Sequence, residues 1–120
     1  MAKSRLLLVL RRAPYDSGRS KAALDLAMAF SVFDLPVDLL FLGDGVWQLL
    51  GGQDTAATVT KNVQKTLSSL PLYDIEVLYA EAEALTDRGI AAADIPHAVN
   101  TLKRSDLNAF FADFQQVLVF

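Results

Sequence analysis

The chain has 120 residues, of which 52% are apolar and 21% charged, with a formal net charge of −3 and no cysteine. That length suits one domain, residues 1–120, with a single core, and the apolar share exceeds what a small monomer needs, which points to a buried interface. The missing cysteines exclude disulfides, thiolate metal sites and a cysteine nucleophile within this chain. Basic residues form no run longer than Arg11-Arg12 or Lys103-Arg104, so the electrostatic footprint of a chain that binds nucleic acid directly is missing.

The N-terminal apolar run 6–10 meets Arg11-Arg12 at once, and no stretch reaches the ~18 apolar residues of a spanning helix. A soluble cytoplasmic protein without membrane contact is expected. Residues 5–10 form a short, branched-aliphatic run that reads as a buried strand. After a loop over 11–18, Ala23, Leu26, Ala27, Phe30 and Phe33 recur at helical spacing, leaving Arg19, Lys21 and Asp25 for solvent. Pro36 closes that helix and opens a second strand over 37–42.

Val59, Val63, Leu67 and Leu70 mark another helix, stopped by Pro71. A third strand is expected over 75–79 and a short helix over 81–88, capped by Gly89. A short fourth strand is placed at 96–99. Ser105 is the expected N-cap of a helix carrying Leu107, Phe110, Phe111 and Phe114, and 116–120 reads as the last strand. Five strands alternating with helices imply an α/β domain. The expected form is a flavodoxin-like, mostly parallel sheet of order 2-1-3-4-5 with helices on both faces.

Functional groups in such a sheet sit beyond the carboxyl ends of the strands, here the loops 11–18, 43–46, 80–84 and 100–105. The first loop, RRAPYDSGRS, carries hydroxyls, arginines and one glycine before a helix, enough to sketch a phosphate site but without a phosphate-loop pattern. That leaves a flavin- or nucleotide-binding module as an alternative reading. Asp44 sits where a receiver domain has its phosphoacceptor. The last strand has no lysine, however, so Asp44 and Gly45 read better as the cap and tight turn of the next helix. Val46, Trp47, Leu49 and Leu50 cannot all face one sheet from a single helical turn. Some are left for a partner or for cover by the loop 51–58, and the enrichment of tryptophan at contact centres favours a partner. His97 stands alone in sequence and reads as structural. Glu76, Glu81 and Glu83 read as a solvated strand end and helix start rather than as a carboxylate pair for hydrolysis. No cofactor and no metal site are expected.

Ala13-Pro14-Tyr15 after strand one, FLGDGVWQLL over 41–50, LYDIE over 72–76 and Arg88-Gly89 together resemble the DsrE/DsrF-like family, most closely its TusC (DsrF) branch. The resemblance covers nearly the whole chain. It implies a flavodoxin-like subunit of a heterohexameric sulfur-relay complex containing two copies each of three related small proteins. Its partners would be a cysteine-bearing TusD/DsrE-like subunit and a TusB/DsrH-like subunit. Such complexes pass persulfide sulfur toward 2-thiolation of the tRNA wobble uridine, and their DsrEFH relatives serve sulfur oxidation. The family's sulfur-carrying cysteine lies just after the third strand of the catalytic subunit, a place that Glu81 takes here. A carboxylate cannot carry a persulfide, so the resemblance implies a noncatalytic subunit. Tyr15, Asp44, Gly45, Val46, Trp47, Leu49, Leu50 and Tyr73 are the expected contact residues.

Overall fold

A computed structural model of the protein describes residues 3–12, 19–50, 66–73, 75 and 78–120. Five strands, β1 (Lys3–Leu10), β2 (Val37–Phe41), β3 (Leu78–Glu81), β4 (Val99–Leu102) and β5 (Phe114–Val119), form one sheet in the order β4-β3-β2-β1-β5. Every pairing is parallel, as the alternation of strands and helices implies. Among the described residues the helices are α1 (Arg19–Val32), α2 (Ala82–Asp87) and α3 (Leu107–Ala112), with a helical turn at 66–69 and several shorter 3-10 segments.

The parallel α/β architecture matches expectation, but the strand order 2-1-3-4-5 does not. β3 adds beside β2, with Leu40 opposite Tyr79, and β5 takes the free side of β1, with Leu7 opposite Val117. Three successive crossovers thus step in one direction, and right-handed connections put α1 and α2 on one face, where both join the same core. The last connection steps back across the sheet and puts α3 on the other.

The side chains of β1 divide accordingly. Leu8 and Leu10 join a large core with Ala23, Leu24 and Ala27 of α1, and with Phe41, Val46 and Leu49. Leu7 and Val9 face the smaller cluster of Leu40, Leu107 and Phe114, against which Tyr79, Phe110 and Phe111 pack. Each such buried leucine contributes about 2 kcal/mol relative to exposure. The alanines of α1 let that helix approach the sheet closely, as its sequence suggests.

Several boundaries moved. Helix α1 ends at Val32, so Phe33 does not share its buried face and is 76% exposed. The chain reverses there because Leu35 N–H reaches back to the Phe30 carbonyl (3.0 Å) and Asp34 N–H to that of Ser31 (3.0 Å), with Asp34 in the left-handed region at φ 59°. Helix α2 closes in the same way, Ile90 N–H reaching the Leu85 carbonyl (2.9 Å) around Gly89 at φ 67°. This is the left-handed cap expected of Gly89, and its hydrogen bonds make it a Schellman motif. The third strand runs to Glu81 instead of stopping at Tyr79, because β4 extends its ladder to Leu102 opposite Glu81. By the same pairing β4 begins at Val99. Ser105 lies inside a 3-10 turn (Arg104–Asp106) rather than capping α3, and Phe114 opens β5 instead of ending the helix. Of the helix expected through Val59 and Val63, only residues 66–69 are among those described, leading into a 3-10 segment Leu70–Tyr73. Among the described residues no helix is long and apolar enough to cross a membrane.

Candidate functional site

Beyond β2 the chain turns into a 3-10 segment, Gly43–Leu49, laid across the carboxyl end of the sheet. Leu42 N–H donates to the Leu10 carbonyl (3.0 Å) and Gly45 N–H to the Leu42 carbonyl (2.8 Å). Gly45 then passes so close to β1 that a Cβ on it would stand 1.9 Å from the Leu10 carbonyl oxygen. Only a residue without a side chain permits that crossing.

With three residues per turn, Val46 and Leu49 fall on one row, and both are fully buried. Trp47 and Leu50, on the next row, are half-buried and pack against the larger core. The 3-10 period therefore divides the apolar run in two. Val46, Leu49 and the buried Gly45 are core residues of this chain, which corrects their reading as contacts, while Trp47 and Leu50 keep part of their surface. Gln48, the polar interruption in that run, is buried, and its Nε2 donates to the Arg12 carbonyl (2.8 Å), tying the segment to the end of β1.

At the end of β3, the Glu81 side chain is 8% exposed. Its Oε1 accepts the Gly43 N–H (3.1 Å), and its Oε2 pairs with Nε of Arg104. One carboxylate thereby joins the ends of β2, β3 and β4. Arg104 in turn donates its backbone N–H to Oε1 of Glu83 (2.9 Å), and this bond, foremost, holds the Glu83 carboxyl below the usual carboxylate range. The hydrogen bond to Glu81 raises the Arg104 guanidinium further above neutrality. A second pair crosses the edge: Arg88 donates through Nη2 (2.8 Å) and Nε (3.2 Å) to Oδ1 of Asp44, and through Nη1 to the Ala84 carbonyl (3.2 Å).

Glu81 is therefore not the solvated strand end read from sequence but a buried, charge-paired tie. Both its oxygens are engaged, so the arrangement locks three loops rather than offering a base or nucleophile to a substrate. Asp44 is exposed and salt-bridged to Arg88, just past the end of α2, instead of capping the 3-10 segment, whose start has no side-chain cap. Among the described residues no group of three metal-ligating side chains occurs.

Tyr73 is placed elsewhere. It belongs to the 3-10 segment that enters β3, hence to the amino ends of the strands, opposite Trp47; it precedes the strand whose far end carries the site. There a cleft of about 250 Å³ is lined by Leu67, Leu70, Pro71, Leu78, Pro96 and His97. Burial pushes the His97 imidazole below its usual range, in keeping with a structural role. Tyr15 and most of the first loop, with its phosphate-site reading, lie outside the described residues, as do Glu76 and the loop 51–58.

Comparison with known proteins bears on the family and the fold. The DsrE/DsrF-like family model matches residues 4–120. The chain belongs to the DsrE/DsrF-like family. Among curated relatives of this DsrE/DsrF-like chain, a protein named TusC homolog from Pseudomonas aeruginosa is 37% identical over 113 residues, covering 94% of this chain and 95% of that one. A TusC homolog from Vibrio vulnificus is 31% identical over 117 residues, 98% of this chain and 99% of the relative. Among solved structures, the ychN protein from E. coli superposes with a TM-score of 0.77 at 20% identity, covering 98% of this chain and all of that one, a likeness of fold.

Sequence reasoning missed the two residues that build the tie with Glu81 and the crossing at Gly45: Arg104, read only as half of a short basic pair, and Gln48, passed over inside an apolar run. An amide enclosed by Val46, Trp47, Leu49 and Leu50 is itself a signal, since a buried polar group requires a partner.

Proposed function

We propose that this DsrE/DsrF-like chain is a noncatalytic, TusC-like subunit of a cytoplasmic sulfurtransferase assembly that relays persulfide sulfur for 2-thiolation of the tRNA wobble uridine. Its partners in that assembly are a cysteine-bearing TusD/DsrE-like subunit and a TusB/DsrH-like subunit, arranged as a heterohexamer. The observation that carries the reading is the state of Glu81. The resemblance puts the family's persulfide cysteine at this strand end, and here a carboxylate occupies it, bonded to Gly43 and Arg104, in a chain with no cysteine at all. A carboxylate oxygen offers no sulfane sulfur linkage, so the transfer step belongs to another subunit. The relatives named TusC homolog, matched along nearly their full length, support the choice of tRNA thiolation over sulfur oxidation.

In this role the chain contributes surface and geometry. Glu81 and Arg104 hold the carboxyl ends of β2, β3 and β4 in one arrangement, and Gly45 seats the segment that presents Trp47 and Leu50. The partner contact assigned here rests on Trp47, Leu50 and Asp44, with Tyr15 and Tyr73 as further contacts at their own places in the chain.

Deleting the gene in its own organism and quantifying tRNA nucleosides by mass spectrometry tests the assignment. Loss of 2-thiouridine derivatives, restored by the wild-type gene, is expected. Unchanged 2-thiouridine would overturn it and return a DsrF-type role in sulfur oxidation.

A further inference from the structure

The two edges of the sheet are built differently. The β4 edge is short, and its exposed residues Asn100 and Thr101 are polar. The β5 edge is longer, carries no charged residue from Phe114 to Phe120, and leaves Val117, Leu118 and Val119 36%, 40% and 56% exposed. Edge strands are ordinarily protected from pairing by lysine, proline, inward charges or shortness, and β5 has none of these.

The hydrogen bonds of β5 fix which of its backbone groups are available. Phe120 N–H donates to the Val9 carbonyl (2.8 Å) and the Phe120 carbonyl accepts from Arg11 N–H (3.1 Å), so both backbone groups of Phe120 point toward β1. By strand alternation those of Leu118 and Gln116 do the same, consistent with their register opposite Leu8 and Leu6. The N–H and C=O groups of Gln115, Val117 and Val119 therefore point outward along the open edge.

From this geometry we infer that β5 is a self-pairing edge, at which a second copy of this chain joins antiparallel across a two-fold axis through Val117. In that register Val117 exchanges two hydrogen bonds with its own counterpart, and Gln115 exchanges two with Val119 of the copy at each flank. Every outward-pointing backbone group of the three residues is then used. A two-fold axis normal to the sheet also keeps the faces matched. Val117 meets Val117 on the α3 side, and Leu118 meets Gln116 on the α1 side, so the exposed aliphatic side chains are covered in both layers. The absence of charge along the strand means that two copies meet without like-charge repulsion. This inference does not depend on the sulfur-relay reading, because the pairing follows from β5 alone.

The full-length chain, alone and co-purified with its natural partners, is examined by native mass spectrometry and by oxidation of Val117→Cys. The chain has no other cysteine, and in a hydrogen-bonded antiparallel pair the two Cα atoms stand about 5.5 Å apart, within disulfide reach. Dimers and rapid cross-linking of V117C, with no cross-linking of Asn100→Cys on the β4 edge, are expected. Val117→Pro removes only an outward N–H and so spares the bonds to β1. It deletes two intermolecular hydrogen bonds and raises the dimer dissociation constant by about 100-fold, taking about tenfold for each bond. A monomer at all concentrations in both preparations, V117C that cross-links no faster than N100C, or a folded V117P that dimerises unchanged would each overturn the assignment. Should V117P fail to fold, the cross-linking comparison decides.

Discussion

Replacing Gly45 with alanine tests the crossing that organises the carboxyl edge. The added Cβ would stand 1.9 Å from the Leu10 carbonyl oxygen and 2.7 Å from its carbon, and both are backbone atoms of a central strand that cannot yield as a side chain does. Restoring van der Waals separation requires the 3-10 segment to lift by about 1.5 Å. Such a shift strains the Leu42-to-Leu10 bond (3.0 Å) and the Gly43-to-Glu81 bond (3.1 Å), and it loosens the seats of Val46 and Leu49. Overpacking together with the partial weakening of these two hydrogen bonds amounts to about 3 kcal/mol. For a domain of this size that loss lowers Tm by about 12 °C. Gly89→Ala is the control: its Cβ would meet nothing within 4 Å, so its penalty is that of the left-handed backbone alone, about 1–2 kcal/mol. Urea and thermal unfolding followed by circular dichroism measure both. A Gly45→Ala loss no larger than that of Gly89→Ala would refute the close crossing.

Four further outcomes follow from particular contacts. Glu81→Ala leaves the Gly43 N–H without its carboxylate and is expected to cost about 2 kcal/mol, tempered by the exposure of Arg104; Glu81→Gln keeps an acceptor and costs less, and equal, negligible losses in urea titrations would contradict the tie. Leu49→Ala, at a fully buried site, is expected to lose about 3 kcal/mol, whereas Leu72→Ala, 86% exposed, stays within about 0.5 kcal/mol, and similar losses would contradict the burial assigned to the 3-10 row. Asp34→Gly relieves a left-handed residue at φ 59° and is expected to raise stability by roughly 0.5–1 kcal/mol, read as a higher unfolding midpoint. Because burial lowers the folded His97 pKa below its unfolded value, the unfolded chain binds the proton more readily: this residue's contribution is complete above the ordinary imidazole pKa and declines as pH falls through it toward the lowered folded value. The wild-type minus His97→Gln stability difference should therefore shrink between pH 7 and 5, and a flat difference would contradict the cause assigned.

The elements whose burial follows a simple period were legible in the sequence. The run ending at Leu10, the alanine-lined face of α1 and the Gly89 cap all appeared where local pattern placed them, because alternation, helical spacing and left-handed glycine act within a few residues. Strand order was not legible. Whether β3 adds beside β1 or β2 depends on which exposed edge the crossover meets, and that is decided by packing against residues far away in the chain. The reach of β3 to Glu81 was hidden for the same reason, since its end is set by Leu102 on the neighbouring strand.

The candidate site divided along the same line. The segment from Gly43 to Leu50 stood out by its glycines and its tryptophan, yet which of its apolar residues turn inward depended on a 3-10 rather than α-helical period. The role of Glu81 could not be read locally, because its partners Gly43 and Arg104 are 38 and 23 residues away.

The most direct test of the proposed role as a noncatalytic subunit is native mass spectrometry of the tagged protein purified gently from its own cells, with every co-purifying chain identified. The expected result is two copies of this chain with two related DsrE-like proteins, one of which carries a persulfide-forming cysteine. Recovery of this chain without any cysteine-bearing relative would contradict the sulfur-relay reading.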